Sequence, residues 1–157
     1  MILDLQTMFS GTVAVDGTKT AQAIVATAIS TNVLDLRNAA TPALVDEGFS
    51  GPEIWLEVTV IQAFNTLTTL TITLESDSAV GLATLPVVHF SSGAIALAAL
   101  TANTNVVRVQ VPSADYKRYV GLRYTVGGAN PTLGSLVAHL ALDVQRNKTY
   151  PGSFTVA

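Results

Sequence analysis

The sequence predicts an all-β protein, a jelly-roll-like antiparallel β-sandwich with short docking arms at both termini. Apolar and polar residues alternate with period two in several separate runs, the spacing of half-buried strands. Segments rich in Gly, Pro, Asn and Ser separate those runs, and little of the chain keeps the 3.6-residue spacing of an amphipathic helix. With 157 residues and no internal repeat or linker, the chain reads as one domain. Residues 1–9 and 146–157 form its arms.

In chain order, Leu3–Phe9 could form a turn of helix before the sandwich. Gln22–Ile29 and Val33–Leu36 read as short strands. The segment Asp46-Glu47-Gly48-Phe49-Ser50-Gly51-Pro52 carries turn chemistry and reads as a surface loop. After it, Ile54, Leu56, Val58 and Val60 alternate with Trp55, Glu57, Thr59 and Ile61. The clearest strand is Leu70-Thr71-Ile72-Thr73-Leu74, whose β-branched residues lose χ1 freedom in a helix and favour extended backbone. Ala79–Leu82 could form another helical turn. Thr84–Phe90 and Ala94–Leu97 read as two strands, with Ser91-Ser92-Gly93 the turn between them. Val107, Val109 and Val111 alternate with Arg108 and Gln110 until Pro112 ends the run. Val120, Leu122, Tyr124 and Val126 oppose Tyr119, Arg123 and Thr125, and Gly127-Gly128-Ala129-Asn130-Pro131 reads as a loop. The last strand sets Leu136, Ala138, Leu140, Leu142 and Val144 against Val137, His139, Ala141, Asp143 and Gln145.

Charge is the unusual quantity. Asp, Glu, Lys and Arg make up 12% of the chain, against roughly 25% in ordinary soluble domains. So sparse a charged surface points to a protein that lives in an assembly. The net charge is −3, and Lys117-Arg118 is the longest basic run. That argues against nucleic acid as a partner, because phosphates need a basic face. There is no cysteine, hence no disulfide or thiolate chemistry. The first residues show no signal-peptide pattern. Ser78–Val107 contains no charged side chain, but Gly81, Pro86, His89, Asn103 and Asn105 break it up, so no membrane span is expected.

Little in the sequence suggests catalysis. The histidines are His89 and His139. His139 and Asp143 share a strand face, yet four residues of strand separate them by roughly 13 Å, too far for a hydrogen bond. Ser91 and Ser92 lack a nucleophile elbow. Gly127-Gly128 opens no phosphate loop. Asp46-Glu47 and Asp77 lack the regular carboxylate spacing of a calcium loop, and Glu75-Ser76-Asp77-Ser78 could hold an ion only with help from elsewhere and otherwise reads as a solvated turn. The expectation is no enzyme, no cofactor and no metal.

What remains are groups suited to contact. Aromatic and Arg side chains on exposed strand faces are enriched at interface cores. The candidates are Trp55, Arg108, Tyr119 and Arg123, with Leu3, Leu5 and Phe9 in the first arm and Tyr150 and Phe154 in the second. Trp55 could equally cover a sheet edge of its own subunit. Apolar residues in short arms imply docking, on the parent sandwich or on a neighbour.

Several segments together resemble a known family. They are Met1-Ile2-Leu3-Asp4, Ser30-Thr31-Asn32-Val33-Leu34-Asp35-Leu36, Trp55-Leu56-Glu57-Val58-Thr59-Val60, Leu70-Thr71-Ile72-Thr73-Leu74-Glu75-Ser76 and Ser91-Ser92-Gly93-Ala94-Ile95-Ala96-Leu97. The most telling is Lys117-Arg118-Tyr119-Val120-Gly121-Leu122-Arg123-Tyr124-Thr125-Val126-Gly127-Gly128, with Asp143-Val144-Gln145 closing the core. In that order they resemble the Bbp16-like cement or decoration proteins of tailed-phage capsids. Asn38–Gly51 and the stretch after Gln145 match least. The resemblance implies a jelly roll made in the host cytoplasm and bound to the outer surface of the virion. Its partners would be a major capsid protein of HK97-type fold and a second copy of itself, in a two-fold dimer that bridges capsomers. It assigns no binding residue. The competing expectation is a carbohydrate- or receptor-binding sandwich of a phage tail or adhesin, with Tyr116, Tyr119 and Tyr124 near one strand as its aromatic groups.

Overall fold

The computed structural model describes residues 7–14, 19–36 and 54–141. They form two antiparallel sheets packed face to face. The strands in chain order are β1 (Met8–Ser10), β2 (Thr12–Val13), β3 (Lys19–Thr20), β4 (Gln22–Ala23), β5 (Ala28–Ile29), β6 (Leu34–Asp35), β7 (Trp55–Gln62) and β8 (Leu67–Asp77). They continue with β9 (Val87–Ala96), β10 (Asn105–Gln110), β11 (Tyr119–Gly128) and β12 (Ser135–Ala141). A single turn of 3-10 helix, Leu97–Ala99, links β9 to β10.

One sheet runs β1-β12-β7-β10, with β4 pairing the far end of β12; the other runs β5-β11-β8-β9, with β6 pairing the far end of β11. β1 and β4 thus share one position, as do β5 and β6. The first sheet then takes strands one, eight, three and six of the chain order, and the second takes two, seven, four and five. That alternation between sheets is the jelly-roll arrangement of two Greek keys. β2 and β3 form a separate ribbon.

The core lies between the sheets. β7 contributes Leu56, Val58 and Val60, β12 contributes Leu136 and Ala138, and β1 contributes Phe9. From the other sheet come Leu70, Ile72 and Leu74 of β8 and Val120, Leu122 and Tyr124 of β11. The period-two alternation puts these on inner faces, where each large side chain stabilises the fold by about 1.5–3 kcal/mol relative to exposure. Ser10 Oγ meets the buried Tyr124 hydroxyl at 2.6 Å and ties the sheets together inside that core.

Three sequence expectations need correction. Ser91-Ser92-Gly93 is not a turn but part of continuous β9, whose register against β8 slips between Thr71 and Thr73. Gly93 takes φ +67°, and Ser92 Oγ accepts the Ile72 N–H. The residues that suit a turn here build a β-bulge instead. Gln22–Ile29 is not one strand: β4 joins one sheet, β5 the other, and Ile24 is buried between them. The Gln22 amide bridges this crossing, donating to Ile29 O at 2.8 Å and accepting Thr31 N–H at 2.9 Å. Lastly, Met8 and Phe9 are extended backbone, because β1 pairs β12 with Met8 opposite His139. The expected loop 46–52 and the continuation of the last strand through Leu142, Asp143 and Val144 lie outside the described residues.

Candidate interaction surfaces

The charged side chains are arranged economically. Arg108 on β10 stands directly opposite Glu57 on β7, and its Nε donates to Glu57 Oε1 at 2.8 Å. On the other side of Glu57, β12 places His139 in register, with Nε2 3.5 Å from Glu57 Oε2. Alternation alone puts Glu57 on the outer face, yet it is 7% exposed and His139 is 6% exposed. The outer face of this sheet is covered there, so His139 is a packed polar histidine beside a carboxylate.

The second sheet holds two more ion pairs. Arg118 grips Asp35 through two parallel bonds of 2.9 and 2.7 Å, and its guanidinium lies 4.8 Å from the centre of the Tyr119 ring. Arg123 Nε donates to Glu75 Oε2 at 2.9 Å, and Glu75 Oε1 accepts the Thr73 hydroxyl. The other end of the Arg123 guanidinium donates to Leu82 O.

That last bond belongs to a larger feature: the 78–86 loop folds back over the outer face of β11. Leu82 is fully buried and packs where a Cβ on Gly121 would stand. Asp77, at the end of β8, accepts from the backbone N–H groups of Ser78 at 2.6 Å, Thr84 at 2.8 Å and Leu85 at 3.3 Å. Burial alone would raise its pKa, but the Thr84, Ser78 and Leu85 N–H groups and the Ser78 hydroxyl outweigh burial, and the net shift is downward. Lys117 Nζ donates to Leu85 O. Three ionic side chains therefore hold the main chain of one loop, and the expected solvated turn at Glu75–Ser78 is instead an anchored strand end. Val80, Leu85, Val87 and Val88 project outward from the loop and the start of β9, with Leu85 71% exposed.

Beside it, Ser76 Oγ lies 2.7 Å from His89 Nε2, and the His89 ring centre lies 4.1 Å from that of Tyr116, with the two rings tilted by 39°. A Ser–His contact invites a nucleophile reading. However, Ser76 is fully buried and its Oγ also accepts the Lys117 N–H, so no substrate could reach it. Among the described residues no group of three His, Asp or Glu side chains could hold a metal ion.

The expected contact residues fare differently. Phe9 is fully buried in the sandwich core and is withdrawn as a contact residue, since the hydrophobic gain that fixes it is already spent within the fold. Trp55 is half-buried at the start of β7, which is flanked by β10 and β12, so it covers no sheet edge. Arg108, Tyr119 and Arg123 are all partly accessible, but each is engaged as just described. Leu3, Leu5, Tyr150 and Phe154 lie outside the described residues. The three tyrosines form no common platform: Tyr124 points into the core, Tyr116 donates to Pro112 O, and Tyr119 lies on the outer face. Sequence reasoning missed the apolar loop tip and its anchors, although the charge-free run from Ser78 was a visible signal.

No curated protein matches the chain. The family model described as Bbp16 matches residues 18–140, which spans the strands from β3 to nearly the end of β12. On that match the chain belongs to the Bbp16 family.

Proposed function

We propose that the protein is a structural capsid cement protein, bound to the outer surface of an HK97-type icosahedral phage shell, where it staples neighbouring capsomers. The observation that carries this reading is the way the charged groups are used. Among the described residues, Asp35, Glu57, Glu75, Arg108, Arg118 and Arg123 are joined in pairs, while Asp77 and Lys117 bind main-chain groups. Most of the charge among the described residues is thus already engaged, and an apolar loop tip is held outward. A surface of that kind suits burial against protein partners. Family membership and the resemblance to capsid decoration proteins point the same way. The partners proposed are the major capsid protein and a second copy of this chain. The role needs no catalysis and no cofactor.

The test is cosedimentation. Purified protein is mixed with HK97-type shells assembled without it, and the shells are pelleted and then heated. The expected result is saturable pelleting at an integral ratio to the capsid subunit and a higher temperature of shell rupture. Protein left in the supernatant at micromolar concentration, together with hits on a glycan array, would instead favour a carbohydrate-binding sandwich. To ask whether the arms dock, the truncation must stop before Met8. A deletion through Phe9 removes core side chains, and Phe→Ala alone in a core costs about 3–5 kcal/mol.

A further inference from the structure

The two ends of the sandwich are built differently. Trp55 stands opposite both Gln110 and Ala141, and Tyr119 stands opposite Asp77. The starts of β7, β9 and β11 and the ends of β8, β10 and β12 therefore lie together at one end, which carries the 78–86 loop. The other end is closed by the short connections 63–66, 97–104 and 129–134. Accessible polar groups satisfy the main chain there: Asn65 Oδ1 accepts the Thr132 and Leu133 N–H groups, and the Thr66 hydroxyl donates to Asn130 O. The stretches 37–53 and 142–157, 17 and 16 residues long, both join the sandwich at the first end. Leu36 N–H bonds Arg118 O there, Ile54 O accepts the Val111 N–H, and Ala141 faces Trp55.

The groups that hold the 78–86 loop are out of proportion to what it adds to the core. Asp77 is fully buried and gives its carboxylate to three main-chain N–H groups, while Lys117 donates to Leu85 O and Arg123 to Leu82 O. Burying an ionised carboxylate is unfavourable unless such bonds are made. Yet of residues 78–86 only Leu82 is buried. Val80 and Leu85 remain 60% and 71% exposed, and Val87 and Val88 continue the same apolar surface into β9. The anchors thus order a tip that the fold itself does not use. A segment ordered in advance loses less conformational freedom when a partner arrives.

The chemistry of the tip selects its partner. The ionic groups beneath it face the main chain, and residues 78–88 carry no charged side chain. Such a projection has nothing to offer a charged surface. It gains most from a dry apolar depression on another protein, where desolvation supplies the affinity. The opposite end also exposes Val25, Ile61 and Leu133, but among the described residues no buried ionic group holds the main chain there. We propose that the sandwich meets the shell end-on: the anchored 78–86 tip, with Val80, Leu85, Val87 and Val88, seats in an uncharged apolar depression of the major capsid protein, and the end closed by short connections faces solvent. Any grip that 37–53 or 142–157 adds then falls on the same side. This deepens the shell role proposed above, and rests on it for the identity of the partner, by naming the surface and the orientation.

The test compares equally conservative charges at the two ends. Leu85→Lys and, separately, Val80→Lys place an ammonium group on the tip, whereas Leu133→Lys places one on the opposite end, where Leu133 is 50% exposed. All three positions are exposed, so melting temperatures close to the parent's are expected and are measured first. In cosedimentation with shells, each tip variant should bind roughly tenfold more weakly or worse, while Leu133→Lys binds as the parent does. Because no ion pair crosses the contact, raising the salt from about 0.1 M to about 1 M should not release the parent. Tip variants that pellet like a pelleting parent, a loss in Leu133→Lys as large as in Leu85→Lys, or release of the parent by salt each overturn the end-on contact and leave the shell role standing. A parent that stays in the supernatant refutes the shell role, and this contact with it.

Discussion

Ser10 Oγ and Tyr124 Oη lie 2.6 Å apart, although 114 positions separate them in the chain. Ser10 belongs to β1 in one sheet and Tyr124 to β11 in the other, so this contact is a polar rivet through an apolar core. Burial pushes the Tyr124 phenol well above its ordinary pKa, and the Ser10 hydroxyl only partly offsets that. The phenol therefore stays neutral and needs a neutral partner.

Ser10→Ala should cost about 1–3 kcal/mol, because it strands a buried hydroxyl. Tyr124→Phe strands Ser10 in turn. The double variant Ser10→Ala/Tyr124→Phe leaves neither group unpaired and should lose less than the two single variants added together. Urea unfolding of all four proteins gives the coupling. Simple additivity would mean that the two hydroxyls do not interact in solution.

β8 was legible in the sequence because it has one buried and one partly wet face, whereas β12 is buried on both faces along most of its length. Leu70, Ile72 and Leu74 against Thr69, Thr71 and Thr73 is a pattern no helix would produce. What stayed hidden depends on long-range packing. Glu57 sits at a polar alternation position, and nothing local says that Arg108 and His139 flank it under cover. Ser91-Ser92-Gly93 misleads because turns and bulges use the same left-handed glycine; only β8, lying alongside, makes it a bulge. The loop tip was hidden for a related reason. Asp77, Lys117 and Arg123 come from two stretches of sequence, and only the pairing of β8 with β11 brings them to one loop.

A second prediction concerns close packing under the β11–β12 connection. Gly134 takes φ +138°, and a Cβ there would stand 2.2 Å from the Phe64 ring, well inside any permitted contact. Phe64 is itself buried. Gly134→Ala therefore combines backbone strain with a steric clash and should cost about 2 kcal/mol or more. For a domain of this size that corresponds to a fall of roughly 4–8 °C in melting temperature. A variant that melts with the parent would show that Phe64 has room to move aside.

Asp77 predicts an acid-sensitive loop. Its folded pKa lies below the ordinary 3.8, so the folded state holds this proton less tightly than the unfolded chain does. The stabilisation is fully present above the unfolded value and is lost as pH falls through the folded one. Asp77→Asn removes the charge that the Thr84, Ser78 and Leu85 N–H groups share. The gap in melting temperature between parent and variant should be constant above about pH 5 and shrink below about pH 4. Proteolysis within residues 78–86 should accelerate over the same acid range in the parent. A gap that persists undiminished at pH 3 would assign the loop's anchorage to Leu82 and Arg123 instead.

His89 gives a separate pH window. Burial lowers its pKa below the ordinary 6.5. With the Lys117 N–H already directed at Ser76 Oγ, the Ser76 proton is free to be donated to a neutral His89 Nε2. A protonated ring would have to donate at that nitrogen and force the hydroxyl to turn. The unfolded chain takes up the proton first, so stability falls as pH drops from about 6.5 through the folded pKa and then levels off. His89→Gln cannot titrate, and its melting temperature should stay flat where the parent's declines between about pH 7 and pH 5. With two histidines in the chain, their ring proton resonances can be followed individually by NMR. A His89 midpoint at or above 6.5 would mean that Ser76 accepts from a charged ring, and the acid decline would then have to come from another group.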